Sequence, residues 1–366
     1  MKKLLLIGLP LVFCVSSCAF VRMARYLTPD ITDGQIFPAR SLQPAAVPFA
    51  FPASSKNIQL AATARKGGNK ISFDEYLKRH NTVAFLIIRN DSILYENYFY
   101  GYGKESQIPS FSVAKSFTSA LVGLAIQDGL IKSVEEPVTN YLPEMQKNGF
   151  DKVTLKHLLQ MTSGIKFRET YGNPFHEDAQ FYYGRNLRQK SLKLRLARTP
   201  GEKFEYASGN TQLLALVLER SLKGKTVSAY LQEKLWTPLG MESKASWSID
   251  EKGDGIEKMF CCLNATARDF AKFGSLYLHQ GKWDGKQILP INWVQESTTA
   301  DTTQGGAKYY KYQWWLSSKS SEYLAEGIIN QYIYINPDKK LVIVKLSKDY
   351  GVWNKWTFFG DIARQL

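Results

Sequence analysis

The chain has 366 residues, 44% of them hydrophobic and 22% charged, with a formal net charge of +14. This is a globular composition, long enough to bury a substantial core in one large domain or two interleaved ones. Lys and Arg are spread along the chain, which argues against a nucleic-acid partner, and His80, His157, His176 and His279 form no ligand cluster or zinc spacing, so no metal or other cofactor is expected.

In chain order, Lys2 and Lys3 precede the apolar run Leu4–Val15, which ends in Val15-Ser16-Ser17-Cys18. The run is short for a bilayer span and its flanks are those of a secretory signal, residues 1–17. Val-Ser-Ser-Cys also resembles a bacterial lipobox. That resemblance makes Cys18 a lipid anchor and puts the rest of the chain outside the cytoplasm, in the bacterial envelope. Signal removal lowers the net charge by two lysines; the remaining basic surface suits anionic envelope polymers or lipid headgroups, and equally suits plain solvation.

Residues 18–70 carry Pro29, Pro38, Pro44, Pro48 and Pro52 between short apolar patches, which reads as a tether and an extended segment laid against the body. The body spans 71–366. Its first strands, TVAFLIIRNDSILYENYFY, form a β-hairpin turning at Arg89-Asn90-Asp91-Ser92. A matching hairpin, QYIYINPDKKLVIVKLS, turns at Asn336-Pro337-Asp338-Lys339 near the other end, with Tyr332, Tyr334, Leu341 and Ile343 marking half-buried, alternating strands. A helix closes the chain within Val352–Leu366. Between the hairpins, helical periodicity dominates: Val113, Phe117, Leu121 and Leu124 lie near one face of a helix that stops at Asp128-Gly129. Leu213, Leu214, Val217 and Leu218 mark a second helix ending at Gly224, and ATARDFAKFGSLYLHQG is a third. The expected fold is therefore α/β in the broad sense, α+β in the narrow one. An antiparallel sheet (about 82–110 and 310–366) is formed by both chain ends and flanked by helices, with a mainly helical subdomain (about 112–300) inserted between them. Cys261 and Cys262 are adjacent, too close for ordinary disulfide separations without strain, and read as small core residues.

Within PSFSVAKSF, Ser112 and Lys115 stand three positions apart, on one helix face. A helix cap would favour Glu or Gln at the third position, reaching back to the cap; a lysine there opposes the helix dipole. The tetrad alone leaves a capped helix and a nucleophile–base pair both open, and Ser163-Gly164-Ile165-Lys166 repeats it in what reads as a turn. Two further stretches add to it. Tyr206-Ala207-Ser208 lies just before an apolar helix, where a phenol beside an ammonium can have its pKa lowered and act as a proton shuttle; packing under a loop is the other reading of Tyr206. Ala325-Glu326-Gly327 precedes a strand, and the glycine permits close backbone approach.

In this order, with LLQMTSGIKF and YQWWL between them, these motifs resemble the serine β-lactamase and penicillin-binding-protein superfamily, from about Val83 to the C-terminus. Within it they are most similar to class C-like esterases and nylon-oligomer (6-aminohexanoate-dimer) hydrolases. The resemblance implies that Ser112 is the acylated nucleophile, that Lys115 holds or takes its proton, and that Tyr206 is general base and then acid. It implies that Ser208 orients Lys115 and substrate, and that the N–H groups of Ser112 and Ile328 form the oxyanion hole. Tyr171, Gly327 and Asn210 would contact substrate. Ala325 stands where β-lactamases carry lysine, which lowers the expectation of β-lactam hydrolysis or carboxypeptidase activity and raises that of neutral ester or linear amide hydrolysis. Glu326, if it faced the pocket, would repel a substrate carboxylate. A catalytically silent envelope-binding protein of the same fold is the non-enzymatic alternative. A Ser-His-Asp triad lacks its G-x-S-x-G elbow, and His157 reads as a packing or capping residue. The expected partners are a small-molecule ester or amide and, through Cys18, a membrane; the oligomeric state is left open.

Overall fold

The computed structural model describes residues 22, 25–26, 28–55, 58, 60, 71–170, 173, 175–350 and 354–366. The signal segment, Cys18 and Tyr171 lie outside the described residues. In chain order, β1 (Ala39–Leu42) precedes α1 (Phe73–Arg79), the hairpin β2 (Thr82–Arg89) and β3 (Ser92–Tyr98), and the short β4 (Ile108–Pro109). The helical region follows, with α2 (Ala114–Gln127), α3 (Leu155–Leu159), α4 (Glu177–Tyr183), α5 (Leu187–Leu192), α6 (Ser208–Ser221) and α7 (Val227–Leu231). Then come β5 (Ala245–Ser248), β6 (Leu263–Ala265), α8 (Ala267–Leu278), the small hairpin β7 (Lys282–Trp283) and β8 (Lys286–Gln287), and α9 (Ile291–Ser297). The chain ends with β9 (Tyr310–Lys311), β10 (Trp314–Leu316), β11 (Tyr323–Gly327), β12 (Gln331–Asn336), β13 (Leu341–Ser347) and α10 (Lys355–Gln365).

The main sheet has seven strands in the order β3-β2-β13-β12-β11-β10-β9, every neighbouring pair antiparallel. The two terminal hairpins meet along β13 and β2, with Ile343 opposite Ile87, so both chain ends build one sheet. The central strands β2, β12 and β13 are buried almost throughout, not half-buried as their alternation implies. The reason is that both faces are covered. Ile333, Ile335, Val342 and Val344 join the core shared with the helical region, while Tyr334, Ile343 and Phe85 pack with Phe359 and Ile362 of α10 and Leu77 of α1. A sheet covered twice has no solvent face for alternation to report. Helix α8 lies directly on one face, where a Cβ on Gly274 would come within 2.7 Å of Val342.

Strand β4 leaves the main sheet and pairs with β6 in a second sheet of order β1-β5-β6-β4. The N-terminal segment therefore contributes a strand to the body, and Ala45 and Phe49 donate backbone hydrogen bonds to Met241 and Gly240. Helix α2 departs from the one-faced pattern: it is buried on all sides from Ala114 to Ala125. Two of its hydroxyls bond to carbonyls inside the molecule, Ser116 donating to the Gln313 carbonyl at 2.7 Å and Thr118 to the Met259 carbonyl at 3.0 Å. A helix enclosed this way is a rigid base for the residues at its N-terminal end.

Candidate active site

Ser112 sits in a 3-10 turn, Phe111–Val113, that runs straight into α2. It is not the helix cap; the turn's own cap is Ser110. Phe111 is buried with φ +45°, a left-handed conformation unfavourable for a bulky side chain. Glycine at 327 lets β11 press on this turn, since a Cβ there would lie 2.4 Å from the Ser110 carbonyl oxygen. Lys115, one turn along, is 1% exposed. Its Nζ donates to Ser112 Oγ at 2.9 Å and to the Phe260 carbonyl at 2.8 Å. Burial pushes its pKa down to about 8, opposed by the Glu169 carboxylate. The repeat at Ser163 forms no such pair: Gly164 takes φ +74°, Ser163 bonds to Asn210, and Lys166 is exposed.

Tyr206 lies beside this pair, its ring centroid 5.1 Å from Lys115 Nζ, with a hydrogen bond to Ser112. The expectation of a lowered pKa is reversed. Burial raises it well above the ordinary tyrosine value, Glu169 and Glu326 raise it further, and only the Ser112 hydrogen bond opposes them. The phenol is therefore a neutral hydroxyl at physiological pH. Ser208 begins α6 and is turned to Glu169 instead of Lys115. Its Oγ donates to Glu169 Oε1 at 2.6 Å and its N–H to Oε2 at 2.8 Å, a carboxylate at a helix N-terminus. Asn210 is buried and bonded to Ser163 and to Met161 Sδ, and it does not line the cavity.

A cavity of about 400 Å³ opens on these groups, lined by Ser112, Glu169, Tyr206, Trp315, Glu326, Gly327, Ile328 and Lys355. A narrow recess shares Ser112, Glu169 and Ile328 and adds Tyr182, Ser208, Phe260 and Cys261. Trp315 stacks on Tyr206 with centroids 5.7 Å apart. Glu326 does face the cavity, but it is ion-paired with Lys355 at the start of α10, whose Nζ lies 4.5 Å from the Trp315 ring centroid. A cation is thus present in the cavity although residue 325 is alanine. Sequence reasoning missed Glu169, Phe260 and Lys355. Glu169 follows the MTSG stretch by a few residues, a weak signal, whereas a carbonyl acceptor and a lysine arriving on the last helix leave none. Cys261 and Cys262 are buried as expected, yet they are joined to each other by a disulfide, Cα atoms 3.7 Å apart, which corrects their reading as unpaired core residues. His157 forms a reciprocal cap with Thr154 on α3. Among the described residues no group of three or more His, Cys, Asp or Glu is arranged to hold a metal ion.

Residues 72–352 match the Beta-lactamase family. The chain belongs to that family. Among curated proteins it is 29% identical over 296 residues to the 6-aminohexanoate-dimer hydrolase of Paenarthrobacter ureafaciens, covering 75% of this chain and 74% of that one. A Bacillus anthracis structure provisionally designated a 6-aminohexanoate-dimer hydrolase superposes with a TM-score of 0.79 at 27% identity, covering 92% of this chain and 91% of the other. A class C β-lactamase superposes with a TM-score of 0.61 at 17% identity, over 80% of this chain and 94% of that one, a likeness of fold. This Beta-lactamase family member thus has the fold of the serine hydrolases of the β-lactamase and penicillin-binding-protein superfamily.

Proposed function

We propose that the chain is a serine hydrolase that cleaves a small ester or linear amide through an acyl-enzyme. The observation that carries this reading is the buried Lys115 amine, 2.9 Å from Ser112 Oγ and with its pKa pushed down to about 8. An amine so tuned is neutral in an appreciable fraction of molecules near neutral pH and accepts a proton readily.

In this mechanism Lys115, in its neutral form, takes the Ser112 hydroxyl proton as Oγ attacks the substrate carbonyl. The oxyanion rests on the N–H groups of Ser112 and Ile328. Tyr206, kept neutral by burial and two nearby carboxylates, relays the proton from Lys115 to the leaving group. Water then enters by the same path in reverse and frees the acid. Base and acid are two different residues here, in place of one tyrosine doing both.

The similarity to 6-aminohexanoate-dimer hydrolases favours a linear amide. The Lys355–Glu326 pair favours keeping a second reading, hydrolysis of carboxylate-bearing cell-wall peptides or β-lactams, since Lys355 restores a cation to the cavity. Purified protein assayed against p-nitrophenyl esters, linear aminoalkanoyl amides, D-amino-acid peptides and nitrocefin separates these readings. The first two are expected to turn over and nitrocefin to be slow. Turnover of nitrocefin alone reverses the order, and no turnover of any leaves the silent envelope-binding alternative.

We also propose export and lipid anchoring at Cys18, on the strength of the N-terminal pattern. No helix among the described residues is long and apolar enough to cross a membrane. Cys18→Ala is expected to move the protein from the membrane to the soluble fraction and to abolish incorporation of labelled fatty acid; unchanged labelling refutes the anchor.

A further inference from the structure

The disulfide between Cys261 and Cys262 has no part in the mechanism above, yet it lies against it. Cys261 lines the recess shared with Ser112, and the residue before it, Phe260, provides the carbonyl that accepts from Lys115 Nζ at 2.8 Å. The turn's neighbouring carbonyls are committed too. Met259 O accepts from Thr118 Oγ1, Cys261 O from Trp247 Nε1, and Cys262 O from the Ser248 N–H. Cys262 has φ +71°, the left-handed region that residues other than glycine seldom adopt. A turn with an uncommon backbone conformation is therefore closed covalently one residue from the carbonyl that orients Lys115.

We propose that the Cys261–Cys262 disulfide is a positioning element for Lys115. By closing a small ring across their shared peptide it holds Cys262 left-handed and aims the Phe260 carbonyl at Nζ. The inference rests on the reading of Lys115 as the base. A dithiol reductant opens the ring by delivering two electrons and two protons: the Sγ–Sγ bond breaks, two S–H bonds form, and the reductant leaves as its own cyclic disulfide. Cys262 is then free to leave the left-handed region, and the Phe260 carbonyl loses its fixed direction.

The test uses the full chain with a p-nitrophenyl ester, before and after dithiothreitol. Alkylation and peptide mapping report the state of residues 261 and 262, and circular dichroism reports the fold. The expected result is a disulfide-linked pair in the untreated protein. Reduction lowers kcat at least tenfold, shifts the pH limb of kcat/KM that belongs to Lys115 by half a unit or more, leaves the fold intact, and reverses on reoxidation. A Cys261→Ser/Cys262→Ser variant should be slow and indifferent to reductant. Cys262→Gly, which takes a positive φ without a ring, should recover part of the lost rate. Two alkylatable thiols in the untreated protein would overturn the proposal, and so would a reduced protein with unchanged kcat and pH profile. An oxidised protein without Ser112-dependent turnover would instead refute the proposed function.

Discussion

A lysine amine buried against a serine hydroxyl has a definite pH signature. Lys115 accepts a proton only when neutral, and its pKa is pushed down to about 8. On the proposed mechanism kcat/KM therefore rises as pH increases through about 8 and levels off above it, the opposite of a reaction needing the ammonium. Lys115→Arg, which stays charged, is expected to lose at least ~10²-fold in kcat with little change in KM. In the cavity lining, Lys355→Met leaves Glu326 without its ion-pair partner. The preference for a carboxylate-bearing ester over its neutral methyl ester should fall roughly tenfold, about the worth of one charge-assisted hydrogen bond; an unchanged ratio removes Lys355 from recognition. The Ser112–Lys115 contact was legible in the sequence because it is local, three residues along one helix face. Glu169, the Phe260 carbonyl and Lys355 were not, because each reaches the cavity from a distant part of the chain. The direction of the Tyr206 shift was misjudged because one visible cation was weighed, while burial and the Glu169 and Glu326 carboxylates were not set against it.

The turn that bears Ser112 depends on strand β11, which crosses it with no room for a side chain at 327. Gly327→Ala places a methyl carbon 2.4 Å from the Ser110 oxygen and 3.1 Å from the Phe111 Cβ. It is expected to cost about 1–3 kcal/mol of stability, read by denaturant unfolding, and to reduce turnover more than that loss of folded protein explains. Both terminal hairpins and the three long helices could be read from periodicity and turn residues, since those signals are local. The second sheet could not, because β1, β4, β5 and β6 are two to four residues long and meet only through tertiary pairing. The enclosure of α2 was hidden as well: Ser116 and Thr118 look like part of a solvent face but bond to carbonyls inside the molecule.

At the scale of the whole molecule, Lys258 and Lys345 are sealed in the interior as well. Lys258 donates to the carbonyls of Phe181, Tyr182 and Gly184, and Lys345 bonds to Ser347. Burial pushes both pKa values down to about 7. The unfolded chain binds more protons than the native state between about 7 and the ordinary lysine pKa near 10.4. Stability from these groups is thus full at high pH and lost progressively as pH falls from about 10.4 through about 7. Lys345→Met should flatten the rise in Tm between pH 7 and 9, and an unchanged slope shows that Lys345 does not contribute. The buried lysines bear on the pH range in which this molecule stays folded, whereas the proposed chemistry rests on one oxygen. The direct measurement is intact-mass and peptide analysis of protein quenched during turnover of a slowly deacylating ester. The account predicts an acyl adduct on Ser112 that decays with product release and is absent from Ser112→Ala. An adduct that persists in that variant, or turnover by wild type with no adduct at Ser112, contradicts it.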